Sequence, residues 1–221
     1  MSDVRGVLFD FGNTLFAHHS LPLTIVSACR TLGSSPTSSW AEALADQITA
    51  QAQSADELRH PRDLQSVVWN ERWLLLYSQA DDEVPGLGEA VYAAMHDPAQ
   101  WHPYVATLQV LQSLHERDVP VAIVSNTGWD VRTVFAAAGV SDTVTAFVLS
   151  CEVGVMKPSA EIFRFACAEL GVAPTAVLMV GDDAMADAGA VRAGLRTLLL
   201  PAALPFASNG LEAVSRIVAR D

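Results

Sequence analysis

The chain has 221 residues, 51% of them hydrophobic and 17% charged, which supports a sizeable core or a core plus an insertion and excludes a disordered chain. A net charge of −12 weighs against nucleic acid or an anionic membrane surface as a partner, because both need a basic face. It does not exclude an anionic small molecule, for which one local cation suffices.

The opening stretch "MSDVRGVLFDF" has an apolar run too short and too broken for a secretory signal. Its core, "GVLFDF" (6–11), predicts a buried strand that ends in Asp10. From 17 to 101 the pattern changes: "LPLTIVSACRTLG", "SSWAEALADQITAQAQ", "RDLQSVVWNERWLLLYSQA" and "GLGEAVYAAMHD" each suit a helix, with turn signals between them. "PYVATLQVLQSLHER" (103–117) predicts a further helix with Pro103 at its first position. Strands follow at 119–125, 146–150, 176–182 and 196–200, separated by helical patterns at 129–138, 159–170 and 184–193. That alternation predicts an α/β fold with a parallel sheet and crossover helices, with chemistry at the carboxyl ends of the strands. The expected organisation is a core of 1–16 and 102–221, with 17–101 inserted as a helical cap. "LRTLLLPAALPF" is too short and too proline-rich to span a membrane. Cys29, Cys151 and Cys167, odd in number and without CxxC spacing, read as free thiols in a reducing, cytoplasmic setting.

Asp10, Ser125 and Asp182 all fall at strand ends. "VAIVSNTG" carries Ser125 and Asn126, "GVMKPSAEIF" carries Lys157, the one lysine beside twelve arginines, and "LMVGDDAMAD" carries Asp182, Asp183 and Asp187. Taken singly, each has a plain structural reading: a turn for Ser125 and Asn126, a helix cap for Asp182 and Asp183, a solvated position for Asp187. Taken together in this order they describe a phosphoryl-transfer site. A carboxylate such as Asp10 can attack phosphorus. The Ser125 hydroxyl, the backbone amides at Phe11 and Gly12 and the Lys157 ammonium can hold the phosphoryl oxygens. Asp10 and Asp182 offer the hard oxygen ligands that suit Mg²⁺.

These four stretches resemble the four motifs of the haloacid dehalogenase-like (HAD) hydrolase superfamily, from Val7 to about Leu200. The resemblance implies a Rossmann-like core, a C1-type helical cap and Mg²⁺-dependent phosphomonoester hydrolysis of a small phosphorylated metabolite. It implies Asp10 as nucleophile, and Ser125, Asn126 and Lys157 on the transferring group. For the metal it implies Asp10, the Gly12 carbonyl and Asp182, supported by Asp183 and Asp187. One position departs from the pattern. Phosphatases of the superfamily carry a second Asp two residues after the nucleophile, as general acid and base, and here that residue is Gly12. Such assistance is typically worth about 10²- to 10⁴-fold.

Three readings remain open on sequence. One is a slow phosphatase that borrows another acid, with His18 and His19 as candidates. Another is a carbon-attacking dehalogenase-type enzyme, against which the intact acidic "GDDAMAD" argues. The last is a binding protein with a residual phosphate site. A phosphonate-cleaving reading needs a cap lysine, and the cap has none. In the cap, Trp69 and Trp73 sit at helical spacing and read as core packing, Arg59, Arg62 and Arg72 as solvated surface, and 16–20 as the loop that sets specificity.

Overall fold

Three runs rich in Val, Leu, Ile and Phe are buried throughout and form the centre of a sheet that two less buried runs flank. The structure, a computed structural model, describes residues 4–201, 203, 204 and 206–218. Its strands in chain order are β1 (Gly6–Phe9), β2 (Phe16–His18), β3 (Trp101–Pro103), β4 (Val121–Ser125), β5 (Ala146–Leu149), β6 (Val177–Gly181) and β7 (Arg196–Leu199). Five of them form one parallel sheet in the order β5-β4-β1-β6-β7. Phe9 at the end of β1 pairs with Ile123 on one side and Val180 on the other. Asp10 therefore emerges between the ends of β4 and β6, where the chain order switches direction across the sheet. Ligands of open α/β sheets bind at such a crevice.

The pleat divides the sheet residues between two helical layers. Val7 and Phe9 face Val110 and Leu114 of α5 (Thr107–His115) and Phe135 of α6 (Arg132–Ala137). Leu8 and Met179 face Ile162, Phe163 and Ala166 of α8 (Ala160–Leu170). Each fully buried side chain of this size contributes roughly 1.5–3 kcal/mol. A third cluster lies within the helical segment after β2. There Ile25 and Cys29 of α1 (Leu21–Thr31) meet Leu44 and Ile48 of α2 (Ser38–Ala52), Leu76 of α3 (Ser66–Tyr77) and Leu87 and Val91 of α4 (Leu87–Met95). The segment thus carries a core of its own.

Two sequence expectations change. Pro103 does not open a helix: it ends β3, which pairs antiparallel with β2 through Phe16 and Pro103, Ala17 and His102, and His18 and Trp101. Pro is tolerated at the end of such a two-stranded ribbon, and α5 starts later, at Thr107. This ribbon is where the chain leaves the sheet layer and returns to it; Thr107 Oγ1 donates to Leu15 O at 2.7 Å beside it. The pattern at 184–193 forms a 3₁₀ helix, Asp187–Ala193, after an irregular turn. Gly189 within it weakens an α-helix at that point. The expected core ranges include residues 1–3, 202, 205 and 219–221, which lie outside the described residues. Among the described residues no helix is long and apolar enough to cross a membrane.

Inside the helical segment Glu57 is buried, 3% exposed, and accepts from Arg72 Nε at 3.1 and 3.2 Å. The Arg72 hydrogen bond holds its carboxyl below the usual range against the opposing effect of burial, with Arg62 adding to the attraction. A depressed carboxyl stabilises the fold above its unfolded pKa and loses that contribution as pH falls through its folded one. Glu57→Gln leaves a part-buried guanidinium without its charge partner, at a cost of about 2 kcal/mol. Thermal melting at pH 7 should show that loss, and the gap from the parent protein should close below about pH 4. Equal melting temperatures at pH 7 would refute it.

Candidate active site

A lysine buried to 3% exposure must have its charge answered at close range, because a lone buried ammonium costs several kcal/mol. Lys157 Nζ donates to Asp10 Oδ1 at 2.6 Å and to Asp187 Oδ1 at 2.7 Å. Three loops converge to make this possible. Asp10 follows β1. Asp187 begins the 3₁₀ helix after β6, and its other oxygen accepts from Asp183 N at 3.0 Å. Lys157 is held by Asn126, whose Oδ1 accepts from Lys157 N at 2.8 Å and whose Nδ2 donates to Lys157 O at 2.9 Å. The approach of Asp187 needs Gly181: a Cβ there would lie 2.1 Å from Asp187 Oδ2.

Asp10, Asp182 and Asp187 each bring a carboxylate oxygen within 4.8 Å of the others. Burial raises the Asp10 carboxyl above its ordinary range, Lys157 opposes the rise and Asp182 adds to it. Burial and Asp187 raise Asp182 as well, and burial raises Asp187 despite Lys157. Burial also disfavours the Lys157 cation, but Asp10 and Asp187 outweigh it and the ammonium is held charged. Three carboxylates against one ammonium leave an excess of two negative charges. An oxygen donor set with that excess fits a hard divalent cation. Thr14 reinforces the arrangement: its hydroxyl lies 3.3 Å from Asp182 Oδ1 and 3.5 Å from Asp10 Oδ2. Thr14 is aimed back by the turn at Asn13, whose φ of 57° is left-handed, a conformation Asn tolerates.

Asp10, Asp182 and Lys157 line a cavity of about 420 Å³ together with Phe11, Gly12, Ser125, Asn126 and Asp183, while the fully buried Asp187 is not part of the lining. Most of the residues singled out in the sequence therefore share one space, Asn126 and Asp183 among them, whereas His18 and His19 do not. The Asn126 side chain fixes the Lys157 peptide on both sides while lining the cavity. The Asp183 carboxylate caps the turn that follows, accepting from Met185 N at 2.7 Å and Ala186 N at 3.1 Å, and does not join the three-carboxylate cluster. His18 and His19 lie outside the lining: the His18 ring nitrogens sit 2.9 Å from His19 O and 3.1 Å from Ala94 O, and His19 Nε2 sits 3.2 Å from His102 Nε2. Residues 16–20 do not line the cavity either, because 16–18 are committed to the ribbon.

The opposite wall comes from the helical segment. Trp69 and Trp73 of α3 line the cavity, as do Asp63, His96 and Trp101, with Trp129 from the loop after β4. The sequence pattern assigned Trp69 and Trp73 to packing; the periodicity places them on α3 but does not reveal which face meets the sheet layer. Two contacts dock this wall. Ser150 Oγ accepts from Thr127 N at 2.9 Å and donates to Asp63 O, and Gly128 lies against Trp69 so closely that a Cβ would fall 2.2 Å from Trp69 Cβ. His96 Nε2 accepts from Trp69 Nε1 at 2.9 Å, so that nitrogen carries no proton and Nδ1 donates to Tyr92 O at 2.7 Å. Burial holds the His96 imidazole below its ordinary pKa.

A sequence model described as haloacid dehalogenase-like hydrolase matches residues 4–194. The chain belongs to the haloacid dehalogenase-like hydrolases. Among curated relatives, this hydrolase is 32% identical over 115 residues to a ribulose-1,5-bisphosphate 5-phosphatase of Halopiger xanaduensis, covering 51% of the chain and 47% of the relative. It is 34% identical over 130 residues to a glyceraldehyde 3-phosphate phosphatase of Methanopyrus kandleri, covering 57% and 55%. The chain thus spans about half the length of these relatives. Solved structures share its fold at low identity: a HAD phosphatase from Thermococcus onnurineus at 21% identity and TM-score 0.67, covering 98% of both chains; and a 2-haloacid dehalogenase from Pseudomonas syringae at 21% and 0.64, covering 100% of this chain and 99% of that one.

The contact at Gly128 yields a prediction for this dehalogenase-like hydrolase. Gly128→Ala sets a methyl against the backbone-proximal part of Trp69, which cannot yield by rotating a side chain. Helix α3 should lift from the loop after β4, red-shifting tryptophan emission and speeding amide exchange at 62–77. Unaltered emission and exchange would show that the wall tolerates the methyl.

Proposed function

We propose that the protein is a Mg²⁺-dependent phosphomonoesterase acting on a small phosphorylated molecule through an aspartyl-phosphate at Asp10. The observation that carries this reading is the Lys157 ammonium between Asp10 Oδ1 (2.6 Å) and Asp187 Oδ1 (2.7 Å), with Asp182 in the same carboxylate cluster. In this reading Asp10 attacks phosphorus. Lys157, the Ser125 hydroxyl and the amides of Phe11 and Gly12 hold the phosphoryl oxygens, and Asp187 positions Lys157. Asp10, Asp182 and the Gly12 carbonyl hold the cation. When bound, it neutralises the excess negative charge and lets a phosphate approach. Residues 17–101 act as a cap over a core of 1–16 and 102–221, excluding water from the cavity. A cavity of about 420 Å³ suits a small metabolite, and three free cysteines suit a reducing cytoplasm.

The missing acid at Gly12 favours one other reading, attack on carbon without metal. The carboxylate cluster weighs against it, since a metal-free site gains nothing from that excess of negative charge. Chelation separates the two: p-nitrophenyl phosphate hydrolysis should vanish with EDTA and return with Mg²⁺. Asp10→Asn should lower kcat/KM by at least about 10³-fold. Full activity in either test would remove this reading.

Gly12 itself has room for change. Its backbone is not left-handed, and a Cβ there would meet only Trp101 Cζ3, at 3.9 Å. Gly12→Asp should raise kcat on alkyl phosphates by about 10-fold or more, toward the value of an added general acid. An unchanged rate would show that leaving-group protonation is not the bottleneck.

A further inference from the structure

The cavity over Asp10 has two chemically different ends. The inference below concerns the end away from the carboxylates and rests on the phosphatase reading. That end is aromatic, with Trp69, Trp73, Trp101 and Trp129 in its lining. Its one carboxylate, Asp63, already accepts from Arg62 Nε at 3.4 Å. The neighbouring guanidiniums are engaged: Arg72 on Glu57, and Arg62 over the Trp73 ring at 4.6 Å from the centroid. Among the described residues Lys157 is the one lysine or arginine that lines the cavity, and it serves the phosphoryl end. A second anionic group on a substrate would meet no cation there.

The position two residues past Asp10 offers no acid. Gly12 has no side chain. His96 is locked by Trp69 Nε1 on one nitrogen and Tyr92 O on the other. Burial raises the Asp63 carboxyl against the pull of Arg62, which holds it at 3.4 Å, and burial pushes the Tyr77 phenol up, so neither stands as a free acid beside Gly12. A leaving oxygen must therefore depart without much help from the protein. Phenols do this readily, with pKa about 10 as in tyrosine, whereas alkyl alcohols are far weaker acids, close to water.

We propose that the substrates are aryl phosphates, phosphomonoesters of a phenol without an anionic ring substituent. The ring stacks among the tryptophans while the phosphate sits on Lys157. An Asp10 carboxylate oxygen bonds to phosphorus. The aryl P–O bond breaks with its electron pair on the phenolate oxygen, which takes a proton from solvent. Water then adds to the aspartyl phosphate, releasing inorganic phosphate and a proton and restoring Asp10.

The test is a matched panel on the full chain with Mg²⁺: phenyl, benzyl and cyclohexyl phosphate, 4-carboxyphenyl phosphate and acetyl phosphate. Benzyl keeps the ring but has an alkyl leaving oxygen; cyclohexyl loses both. Phenyl and benzyl should share a KM roughly 2- to 10-fold below that of cyclohexyl, the range expected for aromatic contacts. Phenyl should exceed benzyl in kcat/KM by about 10²-fold or more. The ring carboxylate should raise KM above that of phenyl phosphate. Trp129→Leu should narrow the KM gap between benzyl and cyclohexyl. Equal KM for cyclohexyl and benzyl, or equal kcat/KM for benzyl and phenyl, overturns the aryl assignment and leaves the phosphatase reading standing. No hydrolysis of any of the five overturns both.

Discussion

One buried ammonium shared by two carboxylates organises this molecule. Lys157 cannot sit at 3% exposure without Asp10 and Asp187 on either side of it. That demand reaches into the sheet, because Asp10 and Asp187 follow the carboxyl ends of the paired parallel strands β1 and β6. Only a sheet with these strands adjacent brings them together. It also reaches into the loops. Asn126 brackets the Lys157 peptide from the end of β4, and Gly181 withholds a side chain so that Asp187 can close in. The residues around the cluster are best understood as the means by which a costly charge arrangement is held in one geometry.

The helical segment adds a second constraint of another kind. Its wall is docked by shape and by one hydroxyl rather than by charge. Trp69 rests on Gly128, and Ser150 ties the backbone at Asp63 to that at Thr127. Neither contact crosses the ribbon of β2 and β3, which carries both chain connections between the segment and the sheet layer. A ribbon of two short strands is a slender connection beside a five-stranded sheet. Movement of the wall would release the Gly128 and Ser150 contacts and leave the carboxylate cluster intact.

How much of this was legible in the sequence depends on the length scale of each cause. The strands were legible because apolar β-branched runs ending in Asp10, Ser125 and Asp182 are local patterns. The joint placement of Asp10, Lys157, Asp182 and Asp187 followed from strand-end chemistry and the motif resemblance. What escaped were interactions between side chains far apart in the chain. Nothing local in the sequence shows that Asn126 brackets the Lys157 peptide with two hydrogen bonds. Trp69 and Trp73 share a helical face in sequence, but only the docking of α3 on Gly128 turns part of that face into a cavity wall. Pro103 looked like a helix start because its strand partner is 87 positions away at Phe16. Thr14 was the one missed residue with a local signal, a hydroxyl four positions past Asp10 beyond an Asn turn.

The two walls divide the chemistry between them. In the phosphatase reading proposed above, the sheet side supplies charge, which any phosphate monoester needs equally and which therefore confers little selectivity among leaving groups. The helical side supplies flat apolar surface and no unengaged cation, which bears on the alcohol alone. Gly12 and Trp101 stand at the junction, with the indole edge 3.9 Å from where a Gly12 side chain would begin. In a site with an acid at that position, protonation of the leaving oxygen would loosen the demand on the alcohol's identity. Without it, the stability of the departing oxyanion becomes part of recognition. Selectivity then resides as much in what the sheet side omits as in what the tryptophans contribute.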